Sequence, residues 1–424
     1  MSNRQWKRLD AVERIGQGKL TLGEAAAALS LSKRQVRRLR RAVERGGAKG
    51  VVHGNTGRAP QHRVEEAVRE RIVELRRKKY AGFNDQHFTE KLCEVEGVKI
   101  SRASVQRLLR GAGIGPPRRR RAPQHRRRRD RKPQAGLMIL WDGSRHAWLE
   151  ERGPMLCLMG AIDDATGELL PGAHFVEQEC AAGYLHVLQA IATEKGLPFS
   201  AYMDRHGSLK RNDDHWTLEE ELRGTQEPTQ VGRALQGLEI AVIYALSPQA
   251  KGRVERLWGT LQDRLVSELR LAGAQTVDEA TAVLEAVRAD HNRRFAVSPA
   301  DVTPAWRPGR RGTDVERICS FHYEATVLND NTVRLEGMVI DIPPGPRKRS
   351  YAGVRIELRQ FLDGGWRVYR GDTVIATAAP TSPGELRALR RYRRRPPSAA
   401  SVGKTPVALR APSVSPTEVT PLRP

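Results

Sequence analysis

Three carboxylates, Asp142, Asp204 and Glu255, stand where local pattern gives a side chain access to a cleft. Asp142 ends the apolar run GLMILWDG, Asp204 ends FSAYMDRHG, and Glu255 lies within LSPQAKGRVERLWGTLQDRL. Each alone is ordinary, because a strand-end Asp usually serves a turn or cap and a helical Glu is usually solvated. As oxygen donors from two strand ends and one helix, however, the three could hold two divalent cations. Mg2+ takes few protein carboxylates and completes its shell with substrate phosphate oxygens. Two such ions roughly 3.5–4 Å apart activate a nucleophile and steady the leaving oxygen in phosphoryl transfer.

The elements around these residues must bring them together. Ser247 and Pro248 have the form of a helix start, a capping hydroxyl followed by a first-turn proline. In the helix that follows, Val254, Leu257, Leu261 and Leu265 form an apolar stripe, with Arg253, Arg256 and Arg264 toward the far side. Lys251, Glu255, Gln262 and Val266 run beside the stripe, so Glu255 sits at the edge of the buried face and can reach over a sheet margin. Upstream, GLMILWDG, MLCLMGAIDDATGELL and LLPGAHFVE are expected to form three adjoining antiparallel strands. AAGYLHVLQAIATEKG has helical period, with Tyr184, Leu185, Leu188 and Ile191 on one face. A strand ending in Asp204, a charged insert, the small helix TQVGRALQGL and the buried strand EIAVIYALS complete the order β-β-β-α-β-α-β-α. Asp163 and Asp164 belong to a DDATG turn and are expected to do turn chemistry alone. Asp213 and Asp214, in the insert, are expected to be solvated, and His206 to be structural, with contact to a scissile phosphate as the alternative.

Charge says what the chemistry acts on. The 424 residues carry 73 Lys and Arg against 49 Asp and Glu, a formal net charge of +24, which predicts a polyanionic partner and most simply nucleic acid. No apolar run approaches the eighteen or so residues of a membrane-spanning helix, and the N-terminus lacks a signal-peptide core, so a membrane partner is not expected and the location reads as cytoplasmic. The four cysteines form no CxxC pair, which argues against a disulfide framework or a cysteine-based zinc site. In residues 1–50, Thr21 opens a helix carrying Leu22, Ala26 and Leu29, Ser30-Leu31-Ser32 turns the chain, and Ser32 caps a second helix. That second helix presents Arg34, Arg37, Arg38, Arg40 and Arg41, a helix-turn-helix grammar suited to a major groove. Residues 60–115 repeat the idea with VEEAVRERIVELRRKKY and SRASVQRLLRGAG. Residues 116–135 form a Pro-broken linker whose arginine blocks, Arg118, Arg119, Arg120, Arg121 and Arg126, Arg127, Arg128, Arg129, are expected to lie along phosphates, as are Lys251 and Arg253.

The stretches LWDGSRHAWLE, AIDDATGE, AYMDRHGS, SPQAKGRVERLWGTLQDRL and HNRRFAVSPADVTP together resemble the bacterial insertion-sequence transposases of the Asp-Asp-Glu class, and within them the ISNCY-type group. The resemblance covers about residues 10–375 and is most specific over 137–310. It implies a retroviral-integrase-type, ribonuclease H-like α/β core over 136–310, with a mixed five-stranded sheet, and a small β-barrel over 320–379. It implies that Asp142, Asp204 and Glu255 bind two Mg2+, for which Mn2+ can substitute. It further implies that the enzyme cuts element ends and joins their 3′-hydroxyls to target DNA, as a homo-oligomer on double-stranded DNA in the nucleoid. Three points depart from the family pattern. The gap between Asp204 and Glu255 is longer than in retroviral integrases, Arg205 and His206 stand where relatives often have an Asn before Gly207, and His291 stands where many have Tyr. An integrase-type His-His-Cys-Cys zinc module is absent from the sequence. Residues 380–424 are expected to be a disordered basic tail, and SVGKT within it lacks the first Gly of a phosphate-binding loop. A non-catalytic helix-turn-helix regulator derived from a transposase is the alternative, and a nuclease acting on RNA in hybrids is another. Metal-dependent nicking of the element's own ends separates both from a transposase.

Overall fold

The computed structural model describes residues 1–57, 63–118, 129–211, 216–245, 252–335 and 337–386. Two compact units arise, one from Met1–Lys79 with Leu92–Gly115, the other from Tyr80–Lys91 with Pro116–Pro424.

The first unit is helical. Helices α1 (Asn3–Gly16), α2 (Leu22–Leu29) and α3 (Lys33–Gly46) each start at a reciprocal cap, Ser2 with Gln5, Thr21 with Glu24, and Ser32 with Gln35. Ser30 ends α2 in the left-handed region at φ 53°, so only Ser30, Leu31 and Ser32 separate α2 from α3. Ala25, Ala26 and Val36 form the small core, with Ile15, Leu20, Leu22 and Leu31 against it. α4 (Glu66–Lys78) follows, then α5 (Asp85–Glu94) and α6 (Arg102–Gly111). Most of α5 belongs to the second unit, while α4 and α6 belong to the first.

The second unit holds a five-stranded mixed sheet in the order β3-β2-β1-β4-β5. β1 (Ile139–His146), β2 (Leu156–Asp163) and β3 (His174–Val176) are antiparallel neighbours, and β4 (Ser200–Met203) and β5 (Ala241–Tyr244) continue parallel to β1. The expected element order holds except within the charged insert, which was read as irregular and contains an additional short helix. Between β3 and β4 runs α7 (Ala181–Glu194), whose Tyr184, Leu185, Leu188 and Ile191 are fully buried. α8 (Leu218–Arg223) and α9 (Gln230–Gly237) precede β5, and α10 (Gly252–Ala272) and α11 (Val277–Phe295) follow it. Strand alternation divides the core. Ile139, Trp141, Ala201 and Met203 face α7 and α9, whereas Leu140 and Leu158 pack with Val254, Leu257, Leu261 and Leu265 of α10. Those four residues are the expected apolar stripe.

Arg264 does not lie on a solvated far side. It donates to Glu90 of α5 at 2.8 and 3.1 Å and stacks over Phe295, its centre 4.9 Å from the ring centroid. Asn84 donates to Asp263 at 2.5 Å, and His87 and Lys91 meet Glu268 at 2.6 and 2.9 Å. A wheel of α10 taken alone could not foresee α5, which comes from far upstream in the chain.

After the short α12 (Val315–Ile318), six strands follow: β6 (Phe321–Thr326), β7 (Thr332–Leu335), β8 (Met338–Asp341), β9 (Arg355–Gln360), β10 (Trp366–Arg370) and β11 (Thr373–Ala378). A closed barrel was expected. The described strands instead form an open antiparallel sheet, β11-β10-β9-β6, beside a separate β7-β8 hairpin. Val333, Leu335 and Ile340 of the hairpin join the core that holds Leu358, Trp366 and Val368 of the sheet, so its apolar face is covered by packing rather than by ring closure. No described helix is long and apolar enough to cross a membrane. The expected helix start at Ser247 and Pro248, Asp213 and Asp214, and the tail from residue 387 on, SVGKT included, lie outside the described residues.

Candidate active site and nucleic-acid interface

Asp142 does not end its strand as expected: β1 runs on for four residues beyond it, because Gly143–His146 keep pairing with β2, and Asp142, two residues after Leu140, shares that residue's alternation toward α10. β1 and β4 run parallel with Leu140 opposite Tyr202, and carrying that register on by two residues sets Asp204 beside Asp142 just past the end of β4. Both are half-buried. The indole Nε1 of Trp258, on α10, donates to Asp142 Oδ2 at 3.0 Å. Gly160, opposite Asp142 on β2, makes room for that indole, since a Cβ there would come within 3.2 Å of it. Glu255 lies one turn before Trp258 on the same helix and is exposed. The register thus places Asp142 and Asp204 on neighbouring strands, Asp142 against α10, and Glu255 stands exposed in that helix's opening turn. Among the described residues, no group of three or more His, Cys, Asp or Glu side chains is gathered closely enough to hold a metal ion.

A fourth carboxylate, unforeseen in the sequence, borders the pair. Glu179, just ahead of α7, accepts a 2.5 Å hydrogen bond from the Tyr184 hydroxyl and lies 3.4 Å from His206 Nδ1. A Cβ on Gly143 would come within 2.8 Å of its Oε2. Burial first, then the charges of Glu179, Asp142 and Asp204, hold the Tyr184 phenol well above its ordinary range. Burial, then Glu179 and Asp142, push the Cys157 thiol up to about 12, so that sulfur stays a protonated filler of the core. His206 donates its backbone N–H to Asp204 Oδ1 at 3.0 Å. The only signal for Glu179 was an acidic residue close to a helix start, too common a pattern to act on.

Asp164 does more than turn chemistry. It is fully buried, and its Oδ1 accepts from Arg253 and, at 2.5 Å, from Arg129. Its Oδ2 accepts from the Lys132 backbone at 2.8 Å, and Arg253 also donates to the Arg129 carbonyl at 2.6 Å. Arg131 donates to the carbonyls of Asp164 and Ala165, and partial burial, then the charge of Arg253, lower its pKa. Asp163 does behave as a turn residue, accepting from Ala165 and Thr166 and from the Gly136 backbone. Burial pushes its pKa up despite those bonds.

Arg34, Arg37, Arg38 and Arg41 are exposed on α3, and none of the four forms an ion pair among the described residues. Arg40 pairs with Glu44 at 3.0 Å. Arg118 is exposed, whereas Arg129 and Arg253 are turned onto Asp164 as above. Arg119, Arg120, Arg121, Arg126, Arg127, Arg128 and Lys251 lie outside the described residues.

No protein-family model matches the chain. Over 365 residues it is 37% identical to the protein named transposase y4bF of Sinorhizobium fredii, covering 86% of this chain and 78% of that one. Over 334 residues it is 33% identical to the transposase for insertion sequence IS1202 of Streptococcus pneumoniae, covering 68% of each. A chain in the cryo-EM structure of a simian T-cell lymphotropic virus intasome in complex with PP2A regulatory subunit B56 gamma is 13% identical, covers 73% of this chain over its whole length, and has a TM-score of 0.29, a likeness too weak to define the fold.

Proposed function

Because the chain belongs to the transposases of insertion sequences, we propose that it binds the terminal inverted repeats of its element, cleaves the element ends and joins their 3′-hydroxyls to target DNA. The observation that carries this reading is the register that sets Asp142, midway along β1, beside Asp204, just past the end of the parallel neighbour β4, with Asp142 bonded to Trp258 of the helix that bears Glu255. Antiparallel β1-β2-β3 joined to parallel β4 and β5 supports a ribonuclease H-like core. The donor set is all carboxylate oxygen, the chemistry that suits Mg2+, or Mn2+ in its place. Asp142 and Asp204 would hold two such ions, with Glu255 completing the set from the first turn of α10. When bound, the ions would supply an activated nucleophile and charge neutralisation at the leaving oxygen.

The chain's own side chains act around that centre. Trp258 fixes Asp142 by its indole N–H, and the His206 amide fixes Asp204. α3, through Arg34, Arg37, Arg38 and Arg41, would read the terminal repeats, while arginines of the linker and Lys251 neutralise phosphates without base readout. The protein would act as a homo-oligomer on DNA in the bacterial cytoplasm, at the nucleoid.

Asp142→Asn, Asp204→Asn and Glu255→Gln, made one at a time in the full chain, should each abolish end cleavage and strand joining while end binding is unchanged. Cleavage at the wild-type rate by any one of them, in Mg2+, removes that residue from the centre. Intact end binding by a wild-type protein that never nicks its ends makes the chain a regulator instead.

A further inference from the structure

Glu255 sits in the opening turn of α10, where helices are least secure because the first four N–H groups have no partner within the helix. Two neighbours hold that turn. Val254 is fully buried against the sheet, and Arg253 reaches Asp164. Asp164 is itself held from two sides: its side chain is wholly inaccessible and its backbone N–H donates to the Met138 carbonyl, next to β1, at 3.0 Å. The Arg253 side chain is only 11% exposed, so solvent does not compete for its charge. Arg129, from the end of the linker, shares the same carboxylate.

We propose that Asp164 and Arg253 are positioning residues: the pair pins the first turn of α10 to the β2–β3 turn and so sets where Glu255 stands relative to Asp142 and Asp204. This rests on the active-site reading above. Arg253 then acts through Glu255 and is not a phosphate contact. Arg129 completes the anchor, so one buried carboxylate fixes both the end of the linker and the opening turn of the helix.

The test uses the full-length protein. Hydrogen exchange of amides 252–257 in the free protein should be at least about tenfold faster in Arg253→Gln than in wild type, the behaviour of a turn that opens locally. Exchange in β2 and β4 should not change. End cleavage should fall by about a hundredfold, the loss typical of a misplaced catalytic group, with unchanged affinity for end DNA. Arg253→Lys, which keeps the charge, should recover part of both losses. Asp164→Asn should match Arg253→Gln, and if it fails to fold the arginine variants decide alone. Unchanged exchange in the first turn, unchanged cleavage, or weakened end binding in Arg253→Gln each overturns the proposal, the last by making Arg253 a phosphate ligand. Glu255→Gln run alongside separates the two readings. If it cleaves like wild type the active-site assignment fails, whereas the exchange result still decides whether the anchor fixes the turn.

Discussion

Helices α3 and α10 both carry several arginines, and they use them in opposite ways. α3 presents Arg34, Arg37, Arg38 and Arg41 to solvent with no acidic partner among the described residues. α10 pairs Arg253 with Asp164, Arg264 with Glu90 and Arg270 with Glu150. On α10 the same side chain is a bolt between elements, because a guanidinium can satisfy a carboxylate with two parallel hydrogen bonds. A positive charge is available to DNA only when the fold has not already neutralised it. Composition reports the sum of both populations, and only the fold separates them.

The sharpest way to break the comparison is to remove a bolt. Arg264→Met should leave Glu90 largely buried with a poorer partner, and destabilise the core unit by about 3 kcal/mol in chemical denaturation. A loss below about 0.5 kcal/mol would put Arg264 among ordinary surface residues. The second test replaces Arg34, Arg37, Arg38 and Arg41 together with Gln. Stability should stay within about 0.5 kcal/mol, while the log–log salt slope of end binding should flatten by roughly 2–4, since each phosphate contact contributes about 0.9. Unchanged salt dependence would mean that α3 does not meet the backbone.

The smallest effect is with pH. Burial alone would raise the pKa of Glu90, but hydrogen bonds from Arg264 and Gln86 and the charges of Arg264 and Arg294 hold it below its ordinary 4.5. Burial opposes the shift at Glu268 too, where hydrogen bonds from His87 and Lys91 lower the pKa. A carboxylate depressed on folding stabilises the fold above its unfolded pKa and loses that contribution as pH falls through the folded one. Amide protection in α5 should therefore weaken as the medium is taken below about pH 4.5, ahead of α7, which carries no such pair. Simultaneous loss in both helices would show that the α5–α10 pairs add nothing separate.

The strands carrying Asp142 and Asp204 were legible because short apolar runs bounded by turn residues announce buried strands, although β1 runs on past Asp142 where the apolar run stops. The α10 stripe was legible from its period of 3.6. Asp164 was not. A DDATG turn explains its own acidic residues locally, and nothing in the neighbouring sequence shows that Arg129 and Arg253 arrive from either side. Arg264 was misplaced because Glu90, its partner, is distant in the chain. The open C-terminal sheet was hidden because strand count and turn signals do not say whether two edge strands meet. Whatever depended on local period was readable, and whatever depended on distant pairing was not.

The chain leaves its first compact unit at Tyr80 and re-enters it at Leu92 before the linker begins. Tyr80, Phe83 and Phe88, all fully buried, lie on that excursion. Modular proteins trade recognition domains by a single crossover between genes, and the arginine linker looks like the natural place for one. Here a crossover at the linker would remove this chain's own Tyr80–Lys91 and bring in the foreign counterpart. The recipient core would have to accept a stranger's aromatic residues and a stranger's partners for Asp263, Arg264 and Glu268. The helical first unit and the core of this protein are therefore constrained to be inherited together.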